Sequence, residues 1–286
     1  MRKRVILGFC LLFFLFVCYL NWKYEVIALH PFAGSDDYDI RVMTWNIHAS
    51  KDVSESKQRA IAGLIKAQNA DLLLLNEFNK DNCGELYRDL SSVYSYSIED
   101  YANNECGDII FSKIPLDESG HIEIPVLGKS VPSISAIIKV AGREVFVTGV
   151  HLASNSGDGS AIITGVDSLL RIKSFKGRYR NKQRERNYSM MWVKCWLLEK
   201  RMPAIVMGDM NDFSCSSPMD SLKSVGMKDA WWEGGFGYGC TFHTGWMRLR
   251  IDHILYSKEL KLESVNVVET NLSDHNLVVA GFSISK

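Results

Sequence analysis

The chain has 286 residues, 47% of them hydrophobic and 23% charged, the make-up of a folded globular protein and not of a disordered or fibrous one. Lysine plus arginine balance aspartate plus glutamate at 33 each, so no strong long-range field captures polyanions, and non-specific duplex binding is not favoured on charge. No internal repeat at solenoid or propeller periods is visible.

Arg2, Lys3 and Arg4 precede an uncharged apolar run, residues 5–20, followed by Asn21, Trp22, Lys23 and Tyr24. As helix at about 1.5 Å per residue, residues 5–22 extend roughly 27 Å, just enough for a hydrocarbon core of about 30 Å. Basic residues before the run, and Tyr19, Trp22 and Tyr24 at its end, predict a single-pass anchor with the N-terminus inside and the following domain outside the cytoplasm. The alternative is a cleaved secretory signal, with Val26 and Ala28 at cleavage-site spacing and a secreted product. The chain then divides into an N-terminal segment (1–29), a linker (30–39) and one large domain (40–286), a size that α/β and all-β folds occupy without dividing. Of seven cysteines, none stands in a CxxC or Cys/His pattern of the zinc type. Cys83 and Cys106, each before a glycine, read either as two loop thiols or, in an oxidising compartment, as a pair. Cys195, among apolar residues, reads as a buried thiol.

Within the large domain, residues 41–45 are strand-like, and Ile61, Leu64, Ile65 and Gln68 keep helical spacing behind Ser54 as a cap. Residues 72–75 read as a strand buried on both faces. Further strands are expected at 108–111, 134–140, 145–150, 204–207, 251–256, 265–268 and 277–284, with helices chiefly at 182–200 and 219–225. Many short strands and few helices imply sheet packed on sheet, with helices outside.

Polar residues of one chemical kind recur where these apolar strands end. Residues 42–45 lead to Asn46 and His48, 72–75 to Asn76 and Glu77, 145–150 to His151, and 204–207 to Asp209 and Asn211; Asp252-His253 and Asp274-His275 follow. One such residue alone is ordinarily a turn or structural group, and Asp252 has its own bland reading as the partner of Arg248 or Arg250. Six such sites in one domain share a chemistry. A hard divalent cation takes oxygen ligands and keeps several waters, so a carboxylate such as Glu77 with an amide such as Asn46 suffices. Attack of water on a phosphate ester also needs a carboxylate to orient the water, a task that suits Asp209. Donors are needed for charge growing on the non-bridging oxygens, a task that suits Asn211, His151 and His275. Asp252 can orient His275 and stabilise its protonated form.

Thr44-Trp45-Asn46-Ile47-His48, Leu75-Asn76-Glu77, Gly149-Val150-His151-Leu152, Gly208-Asp209-Met210-Asn211, Arg250-Ile251-Asp252-His253 and Ser273-Asp274-His275 resemble, in order, the motifs of the endonuclease/exonuclease/phosphatase (DNase I-like) family. The resemblance covers residues 41–282. It implies an α/β fold, a four-layer α/β/β/α sandwich with the site at the top of two packed sheets, and Mg2+- or Mn2+-dependent hydrolysis of phosphate esters. By position it implies Asn46 and Glu77 as metal ligands, Asp274 as a metal-proximal carboxylate, and His151 as a phosphate contact. Asp209 would align or deprotonate the attacking water, Asn211 would steady the phosphate, and Asp252 with His275 would stabilise transition-state charge.

Two departures bear on that implication. Asn76 replaces the glutamine usual before the metal glutamate, a change beside Glu77 that leaves the ligand itself in place. His48 stands where the DNA-repair branch has aspartate, which argues against an abasic-site role. Residues 155–187 match no motif but carry Arg171, Lys173, Lys176, Arg178, Arg180, Lys182, Arg184 and Arg186 against Glu185. They read as a grip on nucleic-acid phosphates or an anionic membrane, or as a solvated arm. Trp231-Trp232 and the aromatic, glycine-rich residues 236–242 read as a substrate-facing loop or as cover for a sheet edge. The expected protein is a monomer acting on a small or membrane-proximal phosphate ester. DNA cleavage and a non-catalytic binding role are the alternatives.

Overall fold

A computed structural model of the chain describes residues 2–30, 34–35, 37–49, 53–100, 107–126, 129–155 and 168–284. Two six-stranded sheets form its centre. The first runs β15 (Leu260–Val268), β16 (Leu277–Ile284), β2 (Ile40–Asn46), β3 (Leu72–Phe78), β5 (Gly107–Ser112), β4 (Tyr96–Asp100). The second runs β10 (Lys228–Asp229), β14 (Asp252–Tyr256), β9 (Ala204–Asp209), β8 (Arg143–His151), β7 (Lys129–Val140), β6 (Asp117–Val126). Two small ribbons pair β1 (Ala28–Leu29) with β11 (Phe236–Gly237) and β12 (Phe242–Thr244) with β13 (Met247–Leu249).

Side-chain alternation explains the layering. On β2, Val42 points into the core between the sheets, while Met43 and Trp45 point to the opposite face. On β3, Leu72 and Leu74 face inward and Leu73 and Leu75 outward, so an all-leucine strand is needed because both faces are covered. Helices α2 (Glu55–Gln68) and α3 (Gly84–Ser91) supply Ile61, Ile65, Leu86 and Leu90 to that outer face. Helices α4 (Ser168–Lys200) and α5 (Ser217–Lys223) supply Met190, Val193, Met219 and Leu222 to the outer face of the second sheet. The order is helix, sheet, sheet, helix, as expected. Ser54 caps α2 by accepting from the Lys57 N–H, and Asn69 ends it in the left-handed region.

The sheets approach most closely around Leu74. A Cβ on Gly149 would lie 2.6 Å from Leu74 Cδ1. At Gly208, where φ is +136°, a Cβ would lie 2.0 Å from the Val150 carbonyl oxygen. Only glycine fits there.

Helix α1 (Arg2–Tyr24) leads the chain. Among the described residues no helix is long and apolar enough to cross a membrane. The expected span 5–22 is therefore not borne out among the described residues, and the side chains of residues 5–12 lie outside them. The chain leaving α1 is held to the domain. Asn21 and the Ile27 backbone exchange two hydrogen bonds, Glu25 pairs with Lys223, and Arg250 Nη2 donates to the Glu25 carbonyl. Short α6 (Ala230–Gly234) completes the fold, started by Asp229 accepting from Trp231 and Trp232 N–H.

Three further expectations change. Arg186 is not on a basic surface: it is buried, paired with Asp212 at 3.0 Å and bonded to the Ala153 carbonyl, which docks α4 onto the site loop. Cys195 is exposed, because it lies on the outer side of α4. Of the basic stretch, side chains are described at 180, 182, 184 and 186. Cys106 lies outside the described residues, and with it the Cys83–Cys106 pairing.

Candidate active site

Strand direction brings the polar residues together. Strands β2 and β3 run parallel, as do β8 and β9, so Asn46, Asn76, His151 and Asp209 all emerge at one end of the sandwich. Strand β14 is antiparallel to β9 and therefore presents its first residue, Asp252, at that same end. His151, Asp209 and Asp252 are consecutive register partners across the second sheet. His275 enters from the first sheet, just before β16, where its ring packs on Phe242 with centroids 4.8 Å apart.

The hub is Asp209 Oδ2. It accepts from Asn46 Nδ2 at 3.1 Å, and that amide also reaches Glu77 Oε1 at 3.1 Å. His151 Nε2 and His275 Nε2 each stand 3.8 Å from Oδ2, and His151 Nε2 is also 3.8 Å from Glu77 Oε1. His275 Nδ1 meets Asp252 Oδ2 at 2.8 Å. Asn46, Glu77 and His275 thus belong to one sheet, and His151, Asp209 and Asp252 to the other. Glu77 reaches the cluster from a bulge in the β3–β5 pairing, at a left-handed φ of +53°. Such a kink turns a side chain out of the normal strand alternation.

Charge follows from burial and neighbours. Burial, together with repulsion from Asp252, pushes Asp209 up to about 6. Burial alone would lower His275, but the Asp252 carboxylate outweighs it and holds the imidazole up to about 10. His151 is also raised, burial being overcome by Asp108, Asp209 and Glu77. His275 is therefore a charged donor at neutral pH.

Asn211 keeps the turn after β9: its backbone N–H donates to Asp209 Oδ1 and its amide to the Leu152 carbonyl, with φ at +49°. Asp274 sits at the margin, Oδ1 3.3 Å from His48 Nδ1, while its neighbour Ser273 donates to the Asn46 carbonyl. Neither Arg248 nor Arg250 takes Asp252. Arg250 goes to Asp229 at 2.8 Å, and His253 also goes to Asp229, at 2.7 Å, so the histidine after Asp252 is structural. Asn76 ties the sheets together, donating to the Val150 carbonyl and accepting from Asp209 N–H. In the 231–242 stretch, Trp231 Nε1 donates to the Gly237 carbonyl, and the Phe242 ring packs on His275.

Asp108 escaped sequence reading. It opens β5, is buried, and sets Oδ1 3.9 Å from His151 Nδ1; burial pushes its carboxyl up. The readable signal was an acid at the start of an otherwise apolar strand.

A divalent cation fits this donor set. Asp252 Oδ1 is buried without a hydrogen-bond partner, and three carboxylates and two histidines crowd one cleft, so negative charge is undercompensated whenever Asp209 ionises. Asp209, Asp252 and His275 bring ligand atoms within 4.8 Å of one another. His275 Nδ1 is engaged by Asp252, which leaves the Glu77 carboxylate as the oxygen ligand for a hard ion. Asn46 turns Nδ2 to Glu77 and Asp209 and Oδ1 to the His48 N–H, so its oxygen would join Glu77 only with the amide turned over.

The sequence profile of the Endonuclease/Exonuclease/phosphatase family matches residues 43–275, from just before Asn46 to His275 itself. The chain belongs to this family. Other solved members of the DNase I-like fold superpose on it. Truncated TDP2 of Caenorhabditis elegans does so with a TM-score of 0.65 at 19% identity, covering 85% of this chain and 97% of that one. The human Nocturnin catalytic domain with bound sulfate anion gives 0.64 at 19%, over 87% and 96%. D. rerio TDP2 complexed with single strand DNA product gives 0.64 at 15%, over 85% and 98%. At these identities the likeness is one of fold. No curated protein matches the chain significantly.

Proposed function

We propose that the protein is a divalent-metal-dependent hydrolase of phosphate esters, organised as an N-terminal anchor (1–29), a linker (30–39) and a catalytic domain (40–286). The observation that carries this reading is Asp209 Oδ2 sharing one cleft with two histidine Nε2 atoms at 3.8 Å and the Asn46–Glu77 pair. Glu77 and Asn46, with Asp274 nearby, would hold Mg2+ or Mn2+, whose chemistry when bound is neutralisation of charge on phosphate oxygens. Asp209 aligns the attacking water and takes its proton, a task suited to a carboxylate near 6. His151 and His275 donate from Nε2 to the non-bridging oxygens as charge grows there. Asp252 keeps His275 oriented and charged, and Asn211 steadies the phosphate.

A membrane-proximal or small ester is the preferred substrate, because the chain is neutral overall and α1 presents apolar side chains outward. The test incubates protein and Mg2+ or Mn2+ with phosphomonoesters, phosphodiesters, phospholipids and DNA, and follows products by phosphorus NMR. Inactivity of folded protein across the panel would replace hydrolysis by a binding role. In the same assays Asp209→Asn is expected to lose activity by orders of magnitude with metal binding intact, and Glu77→Gln to weaken metal binding. Full rescue of Asp209→Asn by excess metal, with none for Glu77→Gln, would invert these roles.

Nuclease activity is the second reading, favoured by the single strand DNA product held by D. rerio TDP2 and by exposed Arg180 and Arg184. Each phosphate contacted steepens the salt dependence by about 0.9 log units per log unit of salt. Plasmid cleavage with that steep slope, abolished by neutralising the basic residues from 171 to 184 with the buried Arg186 left in place, would establish it.

A further inference from the structure

Three of the most exposed apolar side chains after α1 belong to the two ribbons. Leu29 is 64% exposed, Phe236 69% and Trp246 78%. Leu29 and Phe236 are register partners in the β1–β11 ribbon. Trp246 occupies the turn of the β12–β13 hairpin. The ribbons are joined, since Tyr238, two residues after Phe236, donates from its hydroxyl to the Arg248 carbonyl of β13. The hairpin in turn forms one wall of the catalytic cleft: Phe242 packs on His275, and Thr241 Oγ1 accepts from Asp252 N–H. A continuous path of contacts thus runs from Leu29 to the reacting groups.

The other end of this path is α1. Phe13, Phe14, Leu15, Phe16 and Val17 are consecutive and all exposed; at about 100° per residue they face every direction, and a helix apolar all round belongs in lipid or a core. No core is offered to it by the described domain, and Tyr19 and Trp22 beyond the run suit a membrane–water boundary. The exit is short and fixed: Asn21 grips Ile27, and five residues from Tyr24 to Leu29 can span at most roughly 17 Å. Leu29 therefore cannot lie far from whatever surface α1 enters, and exposed Arg248 beside Trp246 adds positive charge suited to anionic lipid.

We propose that Leu29, Phe236 and Trp246 form an interfacial foot that seats the cleft on a phospholipid bilayer, the surface α1 enters, so that the ester hydrolysed is a lipid headgroup phosphate presented there. This rests on the phosphoesterase reading for the headgroup, but not for the seating. The full chain is reconstituted in phosphatidylcholine/phosphatidylglycerol vesicles, with and without brominated acyl chains. Tryptophan quenching is compared between wild type and Trp246→Ala, and hydrolysis of the vesicle lipid is compared with that of a soluble phosphodiester. The expected results are a bromine-quenched component missing from Trp246→Ala, and vesicle hydrolysis lowered roughly tenfold or more in Leu29→Ser/Phe236→Ser/Trp246→Ser. Hydrolysis of the soluble ester stays at the wild-type rate, which also shows the triple variant to be folded. Trp246 unquenched by bromolipid, or instead crosslinked to a second copy or another protein, overturns the seating. Quenching with no hydrolysis of either ester upholds the seating and overturns the phosphoesterase reading. Soluble hydrolysis with quenching but no vesicle turnover overturns the lipid substrate.

Discussion

One carboxylate, Asp252, sets the charge of two groups. It raises its partner His275 to about 10 against the opposing effect of burial, and after burial it is the main cause of the rise of Asp209 to about 6. With the folded pKa raised, His275 keeps its proton through neutral pH and loses it only toward alkaline pH. Asp252→Asn removes the main cause of that rise. His275 should then titrate well below its wild-type value, Asp209 and Asp274 alone remaining to raise it, and activity at pH 8 should fall by about 100-fold or more. The pH profile of kcat/KM and an NMR titration of His275 check this; an unmoved basic limb would show that the pair does not govern catalysis. Asp108→Asn should lower kcat with metal affinity unchanged, because it frees His151 Nδ1 without touching Glu77. The site was legible wherever a forward strand ended in a polar residue, as at Asn46, Glu77, His151 and Asp209. Asp108 was missed because β5 runs antiparallel to β3, so its contribution comes at the start of the strand. His253 was readable only as half of a pair, since nothing in the sequence places Asp229 beside it.

At the scale of elements, two buried ion pairs fasten outer layers to the sheets. Arg186 and Asp212, both essentially inaccessible, fix α4. Removing one partner of such a pair costs about 3–5 kcal/mol, so Arg186→Ala should shift the urea midpoint down strongly. Arg186→Met/Asp212→Leu should recover much of that loss. Asp229 is held below the usual carboxylate range: burial opposes this, but Arg250 and His253 outweigh it. Its contribution to stability is complete above the unfolded value of about 4 and is lost as pH falls below it toward the folded value. Asp229→Asn should accordingly destabilise at neutral pH and flatten the acid limb of a stability-versus-pH curve. Long apolar strands such as Leu72–Phe78 were readable, because two covered faces demand an unbroken run. Strands β4 and β6 were not, since edge strands with polar or glycine-containing sequences carry no such demand. Helix α3 hides its pattern in eight residues, with only Leu86 and Leu90 buried.

For the whole molecule, the decisive fact is that no single layer owns the site. Asn46 with Asp209, His275 with Asp252 and His151 with Asp108 are all contacts between opposite sheets. Their separation is set beneath them, where Leu74 meets Gly149 and Gly208. Gly149→Ala puts a methyl into that contact and should cost about 1–3 kcal/mol of stability. Its effect on kcat should be larger than its effect on the fold. A variant with wild-type kcat and lowered stability would show that the sheets accommodate the methyl elsewhere. Because hydrogen bonds at 3 Å fail on small displacements while a core loosens gradually, the sandwich acts as a calliper whose gap is the catalytic variable. Under rising hydrostatic pressure or denaturant, turnover should cease while far-UV dichroism still reports intact sheets, with ligand affinity fading at the same point as turnover.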